Sequence, residues 1–395
     1  MQVLALGGSG TFGRMAAKIL VSSNAVSEIV IAGRNMEAAK AAAAELGNKA
    51  SALQVDILDE ARLASLMAGS NVVVNTAGPE HKVVLPALRA AIKAGVDYCD
   101  LCAYGPVTEK GLALDAAAKA SNVTAIMGIG QAGLSNLRMM HAAHQLDHVE
   151  ELRFCIFQVV AMYGESPGAV LSQWRKAGHA DASWQFMMKL VAGKVRVYRD
   201  GRWVDVDPLG DIVHVTLPQG GEVAALPYPG PEPLTLPRAL PGVGSVSTLF
   251  SMFPPELNEI YCKLGRRIAS GEIDESAAAI SLFEYLEAHP GELSAVPNGC
   301  ESGWVDWVEA VGTRQGQRVR YKGWPVGGWD TTSGSLATAA LKMLRGEIRV
   351  KGVLPPESCF DPMPFFEEVA RNVTERPLEG KLLSESFEVL AKRQC

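Results

Sequence analysis

The sequence lacks the features that mark membrane, secreted and nucleic-acid-binding proteins. No apolar run approaches the ~20 residues that a membrane-spanning helix needs. The net charge of −6 gives no general attraction to nucleic acids or anionic membranes. The first residues enter a strand-like pattern directly, without the basic segment and cleavage site of a signal peptide. We therefore expect neither a membrane nor a nucleic acid as a partner.

Cysteine is also scarce. The seven cysteines are irregularly spaced, which is typical of free thiols in a reducing cytoplasm rather than of a disulfide framework. Hydrophobic residues make up 48% and charged residues 20%, as in ordinary soluble globular proteins. A chain of 395 residues is long enough for two domains. These observations predict a cytoplasmic protein of two domains.

A glycine-rich turn stands at the start of the chain. It follows the apolar run 3–6 and leads into a helical pattern. Glycines with G-x-G-x-x-G spacing allow a tight turn, close approach of the backbone to a pyrophosphate, and close packing of helix on strand. The helix amino terminus then offers N–H groups and the positive end of its dipole to the anion. The pattern predicts a dinucleotide site formed by Gly8, Ser9, Gly10, Thr11, Phe12 and Gly13.

The second strand, predicted over 28–32, indicates which dinucleotide. NAD-binding proteins usually place Asp or Glu about 20 residues past the glycines, where it holds the ribose 2′-OH. Here the strand ends at Gly33, Arg34 and Asn35, and Arg34 is suited to a 2′-phosphate. The alternative is that Arg34 is a solvated residue at a helix start. We predict NADP(H) in preference to NAD(H), with Asp56 near the adenine.

The spacing of apolar residues predicts an α/β fold. Up to about residue 125, strands and helices alternate, which is typical of a parallel sheet with right-handed crossovers. A single helix is predicted over 107–121. Beyond residue 134 the pattern predicts an α+β domain with a mixed or antiparallel sheet, including a hairpin over 304–323. The proline-dense segment 227–255 is predicted to be a surface loop.

Five segments together resemble the saccharopine dehydrogenase-like family of NAD(P)-dependent oxidoreductases. They are Gly7–Gly13, Ala32–Asn35, Val74–Pro79, Ala94–Leu101 and Gly346–Ile348. The resemblance is strong over the first 135 residues. The amino-terminal motifs are also similar to those of trans-acting enoyl reductases and NmrA-like proteins.

The resemblance implies a Rossmann domain over 1–128, a substrate and dimerisation domain over 129–328, and a segment 329–395 that returns to the first domain. It implies hydride transfer at an amine or imine of an amino acid or polyamine, and it allows a homodimer. True saccharopine reductases carry Asp-Pro-Gly after the sixth strand, where this chain has Gly130–Leu134. Saccharopine itself is therefore not expected as the substrate.

Two loops are predicted to complete the site, because ligands bind at the carboxyl ends of strands in such sheets. After the fourth strand, Asn75, Ala77, Gly78 and Pro79 are expected to contact the cofactor, although an ordinary turn is the alternative. After the fifth strand, the candidate proton donors are Asp100 and Tyr104, with His81 and Lys82 as alternatives from the loop before. Cys102 is expected to face the substrate. Local capping or solvent exposure is the alternative for each of these residues.

Three further motifs have competing interpretations. Trp329, Asp330 and Thr331 are predicted to contact the substrate, yet their position before a helix also suits amino-terminal capping. Cys99-x-x-Cys102 ends a strand rather than opening a helix, which disfavours redox chemistry. The histidines between 141 and 148 follow helical spacing, so no metal site is predicted.

The sequence as a whole predicts an NADP(H)-dependent oxidoreductase acting on a small-molecule substrate held between two domains. The protein would supply orientation and a proton while the cofactor supplies the hydride. Two alternatives stay open: a carbonyl or enoyl reductase, and a non-catalytic NADPH-binding protein.

Overall fold

The computed structural model describes residues 1–130, 134–159, 166–290, 303–326, 331–373 and 381–391. The chain forms two compact units. The first consists of Met1–His141 and Val326–Leu382, and the second of Ala142–Pro325 and Leu383–Cys395.

The first unit is built on a parallel sheet. Across the described residues, seven strands lie in the order β15-β6-β5-β4-β1-β2-β3, and every pair is parallel. The strands are β1 Gln2–Leu6, β2 Glu28–Gly33, β3 Ala50–Gln54, β4 Val72–Asn75, β5 Asp97–Asp100, β6 Thr124–Ile126 and β15 Gly352–Leu354. The order reverses between β1 and β4, which is the topological switch point of the sheet.

Helices cover the sheet in two groups. One group packs α1 against α2 and α13, and α13 against α14, while the other packs α4 against α3 and α5. Their bounds are α1 Thr11–Ser22, α2 Met36–Leu46, α3 Glu60–Met67, α4 Glu80–Ala94, α5 Gly105–Leu112, α6 Asp115–Ala120, α13 Ser333–Leu344 and α14 Pro362–Val373. The strands are nearly continuous apolar runs because both faces of a parallel sheet are buried.

The second unit contains a mixed sheet. Within the described ranges it has nine strands, in which β12 runs parallel to β7 and the other pairs are antiparallel. They are β7 His148–Val159, β8 Val195–Arg199, β9 Arg202–Val206, β10 Val213–Thr216, β11 Glu222–Pro227, β12 Ser245–Phe253, β13 Trp304–Arg314, β14 Gln317–Pro325 and β16 Leu383–Val389. The helices are α8 Pro167–Ala177, α9 Ala182–Leu190, α10 Glu232–Ala239, α11 Glu256–Ala269 and α12 Glu275–Ala288, while α7 Ser135–His144 crosses the division between the units. The predicted fold class is confirmed.

The proline-dense segment 227–255 is not a loop, so this prediction was wrong. It contains α10 and the buried strand β12, which lies between β11 and β7. Some of the prolines flank these elements, since Pro231 and Pro255 stand at the N-cap positions of α10 and α11, whereas Pro237 lies inside α10. Proline is well tolerated at a helix start, where a missing N–H costs nothing.

The helix predicted over 107–121 is two helices, α5 and α6. They are separated at Ala113 and Leu114, so the single-helix prediction was wrong there. A search of the described helices finds none long and apolar enough to cross a membrane.

Candidate functional site

The loops after β1 and β4 lie together at the switch point. The Thr76 backbone N–H and hydroxyl both donate to the Leu6 carbonyl, at 2.8 and 3.0 Å. A Cβ placed on Gly7 would lie 2.6 Å from the Ala77 nitrogen. Only glycine allows the two backbones to approach this closely, so the glycine-rich turn and the loop after β4 form one continuous edge.

The tight turn before α1 has its left-handed residue at Gly7, with φ +72°. Gly13 has the packing role expected of it, because a Cβ there would collide with the Gly7 carbonyl and lie 2.6 Å from the Thr76 hydroxyl. These close approaches bring the amino terminus of α1 against the ends of β1 and β4.

The amino terminus of α1 has no side-chain cap. Its N-cap residue is Gly10, and no side chain accepts a hydrogen bond from the first turn. The first N–H groups of a helix lack intrahelical acceptors, so an external anion would satisfy them. Ser9 is half-buried, and its carbonyl accepts from the Arg14 guanidinium at 3.0 Å. Thr11 and Phe12 are exposed on the first turn.

The end of β2 presents one free cation. Arg34 is exposed, and none of the described residues pairs with its guanidinium. Its carbonyl accepts from the Gln54 amide at 3.0 Å, which fixes the backbone beside Gly33. Asn35 is the N-cap of α2, and its Oδ1 accepts from the Ala38 N–H at 3.0 Å.

Asp56 lies after β3 in an exposed Asx turn, where its Oδ1 accepts from the Leu58 N–H at 3.0 Å. The expected place of Asp56 near an adenine stays a prediction.

The loop after β4 is held by a buried amide. Asn75 is buried; its Oδ1 accepts from the Ala77 N–H at 3.0 Å, and its Nδ2 donates to the Tyr98 hydroxyl at 2.9 Å. Gly78 and Pro79 follow, joined by a cis peptide bond, and Pro79 is the N-cap of α4. The Asn75 side chain is therefore used to shape the loop.

Asp100, at the end of β5, is wholly buried, and both of its carboxylate oxygens accept hydrogen bonds. Its Oδ2 accepts from the Tyr98 hydroxyl at 2.9 Å, and its Oδ1 accepts from the N–H groups of Cys102 and Gly128 at 3.0 and 2.8 Å. Burial raises its pKa from 3.8 to about 6, although these hydrogen bonds oppose the shift. This geometry does not fit the expected role of direct proton donor, because the carboxylate has no exposed surface.

Glu80 was missed in the sequence. It is the first residue of α4, half-buried, and its Oε2 accepts from the Ala103 N–H at 2.6 Å. Burial raises its pKa from 4.5 to about 8, and the charge of Asp100 adds to the rise. The sequence did carry a signal for this residue: an acidic side chain begins the helix that follows the carboxyl end of β4.

The other candidates around β5 have varied surroundings. Cys102 is buried, and burial raises the pKa of its thiol well above the ordinary value, as it does for Cys99. Neither is therefore a reactive thiolate. Tyr104 is the half-buried N-cap of α5, and His81 is half-buried on the first turn of α4. Their assignment as proton donors stays a prediction.

The segment before α13 is only partly described. Trp329 and Asp330 lie outside the described residues. Thr331 is half-buried, and its carbonyl accepts from the Ser335 hydroxyl at 2.5 Å. Thr332 is the N-cap of α13 and makes no side-chain capping bond, so the capping alternative does not hold at that residue. Within the described ranges, no group of three His, Cys, Asp or Glu side chains is placed to hold a metal ion.

The carboxyl edge of the parallel sheet, where α1 begins, fits a dinucleotide phosphate. The cradle consists of the uncapped first turn of α1 and the free guanidinium of Arg34. A Cβ on Gly10 would meet only the Gly7 carbonyl, at 3.3 Å, so this position has open space in front of it. Backbone N–H donors, open space and a nearby cation are what a phosphate requires.

The comparison with known families agrees with this geometry. Residues 3–126 match the saccharopine dehydrogenase NADP binding domain. This match confirms the expected family for residues 3–126 and supports a nicotinamide dinucleotide as the cofactor class of that domain.

Curated relatives match part of this chain. Trans-acting enoyl reductase from Mycobacterium tuberculosis strain H37Rv is 31% identical over 102 residues, and its Mycobacterium leprae counterpart is 32% identical over 102 residues. Each match covers 25% of this chain and 24% of the relative. The chain thus spans about a quarter of the length of these proteins.

A solved structure matches nearly the whole chain. Apo saccharopine dehydrogenase (L-Glu forming) from Saccharomyces cerevisiae aligns with a TM-score of 0.61, over 98% of this chain and 100% of that chain. The identity is 16%, so the likeness establishes a shared fold.

Proposed function

We propose that the protein is an NADP(H)-dependent oxidoreductase that transfers hydride to or from a CH–NH bond of a small amine or imine. The observation that carries the cofactor assignment is the start of α1 without a side-chain cap, at the sheet edge where the exposed Arg34 follows the neighbouring strand β2. The first feature suits a pyrophosphate and the second suits a 2′-phosphate. When bound, the cofactor would supply the hydride.

Residues of the first unit would divide the work of binding. The N–H groups of the first turn, Thr11–Gly13, would bind the pyrophosphate, and Arg34 would select the 2′-phosphate. Asn75 and its loop would border the nicotinamide end, because ligands lie at the carboxyl ends of such strands. The remaining task, transfer of a proton, would fall to groups beside β4 and β5.

An acidic edge supports a nitrogen substrate. Glu80 begins α4 at the carboxyl edge of the sheet, close enough to Asp100 to feel its charge, and a carboxyl group there can exchange a proton with a substrate nitrogen. The whole-chain likeness to saccharopine dehydrogenase adds support at the level of fold. The second candidate is an enoyl reductase, favoured by the 102-residue match to proteins of that name.

The first experiment tests cofactor binding and selectivity. NADPH and NADH are titrated side by side by nicotinamide fluorescence, with wild type, Arg34→Asp and Arg62→Asp. Arg62 is an exposed residue of α3 in the same unit, so it matches the change in charge. We expect Arg34→Asp to weaken NADPH binding and Arg62→Asp to leave it unchanged. Failure of wild type to bind either cofactor would overturn the proposal.

The second experiment tests the reaction. NADPH oxidation is followed with amines paired with 2-oxo acids, and separately with 2-enoyl thioesters. Turnover with amine pairs supports the CH–NH assignment, and turnover with enoyl compounds alone supports the second candidate. Tight NADPH binding without turnover on either panel would contradict both and leave a binding protein.

A further inference from the structure

We propose that Glu80 is the proton-exchanging residue of the site, giving a proton to the substrate nitrogen on reduction and taking it back on oxidation. This inference rests on the proposed function. It concerns a residue that neither the motifs nor the family resemblance singled out.

The position of Glu80 is fixed by two loops. It opens α4 directly after the loop that borders the switch point, and its Oε2 accepts from the Ala103 N–H at 2.6 Å. That hydrogen bond crosses from the loop after β4 to the loop after β5. The carboxyl group is thereby held at the sheet edge: the residue keeps part of its surface exposed, although its carboxyl group is buried enough for desolvation to dominate its pKa. A proton donor needs this combination of fixed position and access.

Asp100 lacks that access. Its two oxygens accept three hydrogen bonds, from Tyr98, Cys102 and Gly128, and none of its surface is exposed. Every donor is a structural group, so the carboxylate joins the ends of β5 and β6. We therefore treat Asp100 as a positioning residue that acts through the loop and through its charge.

The two carboxyl groups differ in their protonation. Burial and the Asp100 charge raise the pKa of Glu80 to about 8, whereas that of Asp100 rises only to about 6. Near neutral pH, Glu80 thus holds a proton and Asp100 is ionised. Neighbouring carboxyl groups with separated pKa values are a recurring acid–base arrangement in enzymes.

Other titratable groups lie around the start of α4. Cys102, from the loop after β5, lowers the Glu80 pKa by a hydrogen bond that is smaller in effect than burial. On α3, Glu60 pairs with Arg89, more than two turns along α4. His81, on the first turn of α4, does not figure among the groups that shift the pKa of Glu80.

The proposed step balances. On reduction, the imine carbon gains a hydride from the reduced cofactor, the carbon–nitrogen π pair becomes the nitrogen lone pair, and the Glu80 carboxyl gives its proton to nitrogen. The resulting carboxylate takes a proton from water before the next cycle. On oxidation, the same carboxylate accepts the N–H proton as hydride leaves the carbon.

The test has a spectroscopic and a kinetic arm, both on the full chain. The carboxylic-acid carbonyl band is followed by infrared spectroscopy against pH in wild type, Glu80→Gln and Asp100→Asn. We expect wild type to keep a protonated carboxyl band at pH 7 that is lost in Glu80→Gln and kept in Asp100→Asn. Absence of that band from wild type would overturn the proposal, and this result needs no substrate.

The kinetic arm uses whichever amine pair wild type turns over. Loss of general acid catalysis costs about 10²–10⁴ in rate, so Glu80→Gln should lose at least ~100-fold in kcat. NADPH binding should stay unchanged, and Glu80→Asp should recover part of the rate with a shifted pH profile. A kcat and pH profile within about twofold of wild type in Glu80→Gln would refute the assignment. Failure of the proposed function differs from this, because wild type would then bind no cofactor or turn over no amine.

Discussion

The carboxyl edge of the parallel sheet has two contrasting regions. The phosphate end, comprising Gly7–Gly13 and Gly33–Asn35, leaves the α1 amino terminus without a side-chain cap and the Arg34 guanidinium without an ion-pair partner in the described part of the chain. The acidic end, comprising Asn75–Glu80 and Asp100–Tyr104, turns its polar groups inward and joins them to one another. The first region presents unsatisfied donors to a ligand, whereas the second has internal hydrogen bonds and shifted pKa values.

The contrast follows from the kind of group each region uses. The phosphate end depends on backbone N–H groups, whose direction is set by local glycine geometry. The acidic end depends on side chains whose chemistry changes with burial. Substitutions should therefore have different signatures: loss of ligand binding at one end, and loss of stability or of a pH dependence at the other.

The largest expected effect is at Asp100. Asp100→Ala removes the acceptor of three buried hydrogen bonds, and unsatisfied buried donors each cost about 1–3 kcal/mol. We expect the free energy of unfolding to fall by about 3–5 kcal/mol in urea denaturation. The exposed Glu28→Ala in β2 is the control. A loss below about 1 kcal/mol would show that the acidic end is not held in this way.

Gly13 should show the next largest effect. A Cβ there would lie 2.6 Å from the Thr76 hydroxyl and also collide with the Gly7 carbonyl. Overpacking of this kind costs about 1–3 kcal/mol, so Gly13→Ala should lower the melting temperature and abolish NADPH binding. Gly69→Ala is a matched control, because its nearest neighbour would be the Gln2 side chain at 3.5 Å. NADPH binding that survives in Gly13→Ala would count against the phosphate end.

Arg34 should affect affinity without affecting stability. Arg34→Asp removes a charge-assisted bond to a 2′-phosphate and adds repulsion, together worth about 1.5–3 kcal/mol. We expect NADPH to bind roughly 10- to 100-fold more weakly, with NADH nearly unchanged. Isothermal titration calorimetry measures both. Equal weakening for the two cofactors would mean that Arg34 does not read the 2′-phosphate.

Glu80 should contribute a pH dependence to the free energy of unfolding, an effect that is small across any single pH unit but accumulates over several. Its pKa is about 8 in the folded protein and 4.5 ordinarily, so the folded state binds this proton more tightly. The stability that Glu80 contributes to the folded protein is fully present below pH 4.5 and is lost as the pH rises through about 8. The slope is at most about 1.4 kcal/mol per pH unit for one group.

Glu80→Gln should therefore flatten the fall in unfolding free energy between pH 6 and 8 relative to wild type. Glu28→Gln again serves as the exposed control. Identical pH profiles for wild type and Glu80→Gln would show that Glu80 is ionised throughout that range.

Local patterns accounted for much of the first unit. The helices over 36–46 and 333–344 carry local signals, because Asn35 and the apolar spacing mark the first and a long apolar pattern marks the second. The strands β1 and β2 lie within a residue of the predicted runs 3–6 and 28–32 at each end. By contrast, β12 was not predicted, because the surrounding prolines indicate a loop. Its pairing with β7 and β11 is not visible in a local sequence pattern.

The sequence by itself determined the strand–turn–helix start, the cation at the end of β2 and the family of residues 3–126. These features depend on neighbours within a few residues of one another, so spacing is enough to recognise them. Only the tertiary structure decided that β15 pairs with β6. It also decided that Asp100 accepts hydrogen bonds from Tyr98, Cys102 and Gly128, and that Glu80 accepts one from Ala103. Burial and pKa values depend on which distant segments exclude water from a side chain, and no local pattern in the sequence records that.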